Sequence, residues 1–344
     1  MISNNKVLVL GATGSIGGEV ARQLREGGWD VRALQRGAHL ARERRDGITW
    51  YRGDAMNAGD VAAAAQGCAV IVHAVNPPGY RRWAQLVLPM LDNTIAAAEA
   101  VGATIVLPGT VYNFGPDAFP LITEDSPQHP GTRKGMIRVE LERRLLAAST
   151  RGTRVLIVRA GDFFGPQARN NSWFSQVFVR PGKPVTAITE MGRAGTGHQW
   201  AYLPDVARTM VELLARRESL PAFANFHMAG HWDVDGAQMA ASIARVVTRR
   251  TGNKPRRRAF PWPLLVLAAP FNTSLREMLE MRYLWRRPVQ MDNSRLIAFL
   301  GSEPHTALDE AVEMSLRGLG CLEDARPALT PAHPTTATPP RPAS

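Results

Sequence analysis

Gly11, Gly14 and Gly17 stand three residues apart in GATGSIGG, residues 11–18, behind the apolar run KVLVL and ahead of a helical pattern. Each glycine answers a physical need. The first permits a tight turn, the second lets backbone come close to a pyrophosphate, and the third lets the following helix pack on the strand. The helix start also offers free N–H groups and the positive end of its dipole to an anion. Thr13, Ser15 and Ile16 complete the turn. The pattern predicts a dinucleotide site with Gly11, Thr13, Gly14, Ser15, Ile16 and Gly17 around the phosphates.

The end of the second strand refines that reading. An NAD-selective site puts Asp or Glu there to hold the ribose 2′-hydroxyl. Here the stretch ALQRG puts Gln35 and Arg36 in that place. A guanidinium meets a 2′-phosphate with charge-assisted hydrogen bonds, so NADP is the expected cofactor, with NAD as the alternative. Asp54, in the RGD turn, is placed to accept from the adenine amino group. Ala74, Val75 and Asn76 follow a buried apolar strand, where a cofactor crosses the sheet edge.

These positions need a scaffold. Residues 6–10, 30–34, 48–54, 69–75, 104–109 and 153–161 contain short apolar strands, and helical spacing covers residues 15–28, 61–67, 83–101 and 134–149. Near-continuous apolar strands alternating with helices predict a parallel sheet covered on both faces, and right-handed crossovers make it doubly wound. The expected architecture is therefore α/β: a Rossmann-type doubly wound parallel sheet over residues 1–161 and a smaller, mixed C-terminal substrate lobe over residues 162–326, with segments returning to the core. The Pro/Thr/Ala-rich residues 327–344 are expected to form a disordered tail.

The composition narrows the function classes. A 344-residue chain with 45% hydrophobic and 21% charged residues supports a sizeable core. Its net charge is +11, carried almost wholly by arginine. The arginines are scattered, with short clusters at residues 42–45, 256–258 and 286–287 and no nucleic-acid motif beside them, so a small phosphate-bearing partner is expected rather than nucleic acid. Cys68 and Cys321 lie far apart in sequence and no histidine pairing has ligand spacing, so neither a disulfide framework nor a metal site is expected. The first strand begins near Lys6, which leaves no room for a targeting peptide in this chain. The longest apolar run, residues 261–271, is too short to span a bilayer. A cytoplasmic protein without a membrane span is expected, and a homodimer is open.

Several segments together resemble the extended short-chain dehydrogenase/reductase superfamily, in its atypical branch of NAD(P)-dependent epimerase/dehydratase-like proteins. They are GATGSIGG, VYNFGP (residues 111–116), TEDSPQHP (123–130), RAGDFFGP (159–166), WAYLPDVARTMV (200–211), whose Asp205 resembles a helix-capping aspartate, and residues 292–312. The resemblance covers about residues 5–320. It implies a catalytic Ser or Thr followed by Tyr-x-x-x-Lys, in which the tyrosine is the general acid/base and the lysine holds the nicotinamide ribose. On this chain the hydroxyl position falls on Pro108, with Thr110 two residues later. The Tyr-x-x-x-Lys positions fall on Lys134 and Arg138, with Glu142 at the family's glutamate. One reading makes Lys134 a lowered-pKa acid/base, Arg138 the ribose anchor, and Thr110 or Tyr112 the group that orients a carbonyl. The activity implied is an NADP(H)-dependent oxidoreductase on a small carbonyl or sugar-like substrate. A nucleotide-sugar-type epimerase or dehydratase and a non-catalytic NADP(H) sensor are the alternatives.

Overall fold

The computed structural model describes residues 5–77, 82–169, 172–193 and 195–322; the expected tail at residues 327–344 lies outside them. An eight-stranded sheet forms the centre. Its strands are β1 (Lys6–Leu10), β2 (Asp30–Gln35), β3 (Arg42–Arg45), β4 (Ile48–Arg52), β5 (Val70–His73), β6 (Thr104–Gly109), β8 (Val155–Arg159) and β12 (Phe223–His227), in the spatial order β12-β8-β6-β5-β1-β2-β4-β3. All neighbours are parallel except β3, which runs antiparallel to β4. The order turns outward in both directions from β1, and in such sheets a crevice opens at the carboxyl ends of the strands where the order reverses.

Alternation along each strand explains the two layers. Val7 and Val9 point to one face and pack with Val20 and Leu24 of α1 (Ser15–Glu26) and Val206 and Met210 of α5 (Leu203–Ala215). Leu8 and Leu10 point to the other, toward Val61 of α2 (Ala58–Ala65), Leu91 of α3 (Trp83–Val101) and Leu141 of α4 (Arg133–Thr150). Strands buried on both faces have no polar side to alternate with, which is why they read as continuous apolar runs.

The structure adds elements the periodicity did not show. The basic cluster at residues 42–45 is the edge strand β3. It is mostly exposed and three-quarters arginine, and charge on an edge strand discourages pairing with another sheet. β12 returns from far down the chain to pair with β8, and α5 packs beside α1. Asp205 does not cap its own helix, whose N-cap is Tyr202; its carboxylate accepts from the backbone N–H and hydroxyl of Thr306 instead.

Three smaller sheets complete the strands among the described residues. β9 (Asp162–Phe164), β11 (His198–Tyr202) and β13 (His231–Asp233) form one, β10 (Ala187–Glu190) pairs with β14 (Arg256–Ala259), and β7 (Leu121–Ile122) pairs with β15 (Gln290–Met291). Their core is aromatic, built on Phe164, Phe174, Phe178, Trp200 and Trp285, and is closed by α6 (Gln238–Thr251) and α10 (Leu308–Gly318). Short helices α7 (Trp262–Ala268), α8 (Thr273–Glu280) and α9 (Ser294–Leu300) complete the chain. Among the described residues no helix is long and apolar enough to cross a membrane. Both cysteines are buried and unpaired.

Candidate active-site cleft

The three glycines of the β1–α1 turn do different work. Gly11 has φ +90°, a conformation that L side chains rarely adopt, and a Cβ there would lie 2.5 Å from the Ala74 carbonyl oxygen. A Cβ on Gly17 would overlap the Gly11 carbonyl. Gly14 is different: it is the N-cap of α1, with φ −87°, its N–H donates to the Gly11 carbonyl at 2.8 Å, and a Cβ would meet only that oxygen, at 3.2 Å. Gly11 and Gly17 are thus required by the fold, while Gly14 keeps the mouth of the helix open.

That mouth opens into a cleft of about 1030 Å³ along the carboxyl edge of the sheet. Gly11, Thr13, Gly14, Ser15 and Ile16 line it, whereas Gly17 lies beneath the turn. Arg36 lines it as an exposed side chain at the end of β2. Gln35 beside it is already engaged, its amide oxygen accepting from Arg45 at 3.2 Å. Asp54 lines the cleft too, its Oδ1 accepting from the Met56 N–H at 3.0 Å. Ala74 and Val75 form the wall where the glycine turn meets the end of β5. His73 is buried there; burial, and then the nearby Arg138 charge, push its pKa down to about 3. The Thr94 hydroxyl donates to the Met90 carbonyl, so the neutral ring donates from Nδ1 to Thr94 Oγ1 at 2.8 Å.

The far end collects side chains from separate elements. Thr110, Tyr112 and Arg138 all line the cleft. Thr110 follows β6 and accepts from the Tyr112 N–H at 3.3 Å, which starts a short turn of 3₁₀ helix. The Arg138 guanidinium lies 5.1 Å from the Trp83 ring centre, in range for a cation–π contact. Lys134 does not line the cleft. It is 2% exposed, and its ammonium pairs with Glu277 and with Glu280, the latter at 2.7 Å. The sequence spacing puts Lys134 and Arg138 on one helical face, but α8 packs over the first turn of α4 and takes the lysine out of the cleft. The neighbours that settle on its ammonium are carboxylates rather than a second cation, so the lysine is tied to α8 and kept away from the cleft.

Glu142, one turn beyond Arg138, belongs to a buried network. Both its oxygens accept from Arg159, through Nε at 3.0 Å and through Nη2. Arg159 Nη1 also donates to His227 Nε2 at 2.9 Å, while His227 Nδ1 donates to the Ile122 carbonyl at 3.3 Å. Burial, and then the Arg159 charge, push the His227 pKa down to about 3. A single neutral tautomer thus satisfies both ring nitrogens.

Sequence reasoning missed Asp162, Arg169 and Ser172, which line the same end of the cleft. As sequence, RAGDFFGP resembles the crossing from strand to substrate lobe, and an isolated Asp in it carries no spacing signal. Its importance comes from a partner 36 residues away: His198 Nε2 lies 2.9 Å from Asp162 Oδ2.

The model of the NAD dependent epimerase/dehydratase family matches residues 7–229. The uncharacterized protein y4nL of Sinorhizobium fredii (strain NBRC 101917 / NGR234) is 28% identical over 198 residues, covering 52% of this chain and 56% of that protein, so the match spans little more than half the length of that relative. Among solved structures, UDP-glucuronic acid 4-epimerase from Bacillus cereus in complex with NAD is similar at a TM-score of 0.68 and 15% identity, over 91% of this chain and 98% of that one. MoeE5 in complex with UDP-glucose and NAD is similar at 0.68 and 19% identity, over 91% and 98%. Likeness at these identities establishes the fold.

Proposed function

The chain belongs to the NAD dependent epimerase/dehydratase family, and from that membership we propose that it binds a nicotinamide dinucleotide along the cleft and uses it on a hydroxyl- or carbonyl-bearing carbon of a nucleotide-sugar-like substrate. One observation carries the reading. A single cleft runs from the glycine turn and Arg36, past Ala74 and Val75, to Thr110, Tyr112 and Arg138, and on to Asp162 and Arg169. Its volume sits at the top of the range of roughly 300–1,000 Å³ usual for ligand sites, as expected where cofactor and substrate lie side by side.

The residues present fit the cofactor. Gly14 leaves the start of α1 open to a pyrophosphate, and no acidic residue stands in the first turn to oppose it. Arg36, exposed at the end of β2, favours the 2′-phosphate of NADP; a carboxylate there would favour NAD. Arg138 takes the anchoring position beside the nicotinamide ribose, and Thr110 and Tyr112 orient the substrate oxygen. Bound there, the nicotinamide supplies a hydride donor or acceptor. Arg138 and Arg169 bring positive charge to the substrate end, which suits a phosphorylated substrate. An epimerase- or dehydratase-type turnover, with no net change in the cofactor, fits the family better than net reduction of a free carbonyl.

Calorimetry with NADPH, NADP⁺, NADH and NAD⁺ tests the reading. Wild type is expected to bind, NADPH most tightly. Gly14→Val, whose side chain projects into the cleft, is expected to lose at least about a hundredfold in affinity while its thermal midpoint stays put. A wild-type protein that binds none of the four would overturn the proposal. Incubating the loaded protein with UDP-glucose or UDP-glucuronic acid, followed by ¹H NMR of the sugar and absorbance of the reduced nicotinamide, separates internal from net redox use.

A further inference from the structure

We propose that Asp162 and His198 together hold the transferable proton of this site, with Asp162 presenting it to the substrate oxygen. The proposal rests on the reading of the cleft given above and says which of its walls does the acid/base work, now that Lys134 is withdrawn into an ion pair on α8.

Hydrogen-bond accounting carries the argument. His198 lies at the start of β11 and Asp162 at the start of β9, on neighbouring parallel strands paired through Trp200 and Asp162. His198 Nδ1 lies 3.2 Å from the Leu284 carbonyl oxygen. A carbonyl can only accept, so Nδ1 carries a hydrogen. His198 Nε2 lies 2.9 Å from Asp162 Oδ2. A bare Nε2 facing an ionised carboxylate would set lone pair against lone pair. Satisfying both contacts at once takes one further proton between them, as imidazolium with carboxylate or as imidazole with carboxylic acid. The pair is built to keep this arrangement. The side chains of His198 and Asp162 are 6% and 10% exposed. The His198 ring stacks on Trp285 with centroids 3.8 Å apart and planes 8° apart, and meets Trp200 edge-on at 4.9 Å.

The pair is also directional. Asp162 lines the cleft and His198 does not; the imidazole sits behind it, beside a cavity of about 10 Å³ that Asp162 also lines. The carboxylate is thus the face that meets substrate, and His198 is a positioning residue that fills and empties it. Among the described residues Tyr283 also senses Asp162: its phenol is pushed up first by burial and then by the Asp162 and Glu280 charges. It stays neutral and does not compete for the proton.

The step is a proton transfer. When a substrate carbonyl is reduced, the shared proton leaves Asp162 and bonds to the carbonyl oxygen, the C=O π electrons forming the new O–H bond, while the carbon gains the hydride that a reduced nicotinamide bound in the cleft would supply. In the reverse direction the emptied pair takes the hydroxyl proton back.

NMR of the full-length protein, without cofactor or substrate, tests the proton directly. Protein labelled with ¹⁵N-histidine and ¹³C-aspartate is read at pH 7, with His198→Gln and Asp162→Asn identifying the two signals. The expected result is either a protonated His198 Nε2 or a protonated Asp162 carboxyl, together with a protonated Nδ1. In Asp162→Asn, His198 is expected to become neutral, with the proton on Nδ1 alone. A wild-type spectrum with bare Nε2 beside an ionised Asp162 would overturn the proposal. With the UDP-sugar that the loaded protein converts, Asp162→Asn is expected to lower kcat by about 100- to 10,000-fold at unchanged cofactor affinity. His198→Gln, which still offers a donor to Asp162, is expected to lower kcat with little change in KM. Turnover by Asp162→Asn within threefold of wild type would reduce the pair to a structural tie between two strands. Failure of wild type to bind any nicotinamide would count against the cleft reading and leave the NMR result to stand by itself.

Discussion

The two ends of the cleft are made in opposite ways. Around the glycine turn the useful groups are mostly backbone, exposed by the absence of side chains, and they lie within eight consecutive residues, with Arg36 and Asp54 added from beyond the ends of β2 and β4. Gly11 and Gly17 are glycines because neighbouring backbone occupies the place of a Cβ, whereas a Cβ on Gly14 would meet only the Gly11 carbonyl oxygen, at 3.2 Å. At the substrate end the groups are side chains, and Thr110, Arg138, Asp162 and His198 come from four separate segments of the chain. The first end depends on local geometry that any sequence of this pattern reproduces. The second depends on how distant segments pack, so it can diverge while the fold persists. The pair Lys134 and Arg138 shows this within one helix. They stand one turn apart, yet α8 draws one into an ion pair and leaves the other facing the cleft.

The most severe way to break the cofactor end is Gly17→Val. The new side chain overlaps backbone that cannot retreat, and a loss of about 4 kcal/mol or more is expected, enough to leave little folded protein by circular dichroism. A Gly17→Val protein with a wild-type thermal midpoint would show that the turn is looser than its geometry says, and would blur the contrast with Gly14.

Under the substrate end, Arg159→Met strands Glu142 as a buried charge without its partner. A loss of about 3–5 kcal/mol is expected in denaturant unfolding. Because Arg159 does not line the cleft, cofactor affinity measured below the unfolding transition should be unchanged. An equal loss of both would mean that the two ends are mechanically coupled.

Arg36→Ala probes recognition rather than folding. It should weaken NADPH by about 1.5–3 kcal/mol, roughly ten- to a hundredfold, and spare NADH. Equal effects on both cofactors by calorimetry would remove Arg36 from the 2′-phosphate.

The mildest perturbation is a one-unit step toward acid. His73, at the cofactor end, and His227, under the substrate end, both titrate at about 3 in the folded protein, chiefly through burial. The unfolded chain takes up those protons near pH 6.5. Between these values the unfolded state binds more protons, so stability rises with pH across that window, levels off above it and is lost as pH falls. Each ring should contribute on the order of 1 kcal/mol per pH unit. Unfolding free energies at pH 6.5 and pH 5.5 that agree within error would show that the rings are solvated.

The sequence itself determined the β/α alternation, the glycine turn, the missing acid at the end of β2 and the departure from Tyr-x-x-x-Lys. All of these are local: a strand buried on both faces needs an unbroken apolar run, and a turn against a phosphate needs glycine at fixed intervals. It also carried Asp162 and His198 in plain sight. Only the tertiary structure gave them meaning, because a hydrogen bond across 36 residues obeys no sequence period. The same holds for β12, which reaches the main sheet after a long excursion, for the charged edge strand β3, whose pattern is not apolar, and for Lys134, whose partners on α8 lie more than 140 residues away. Packing between distant segments decides which charged side chain meets solvent, the cleft or another charge, and no sequence period records it.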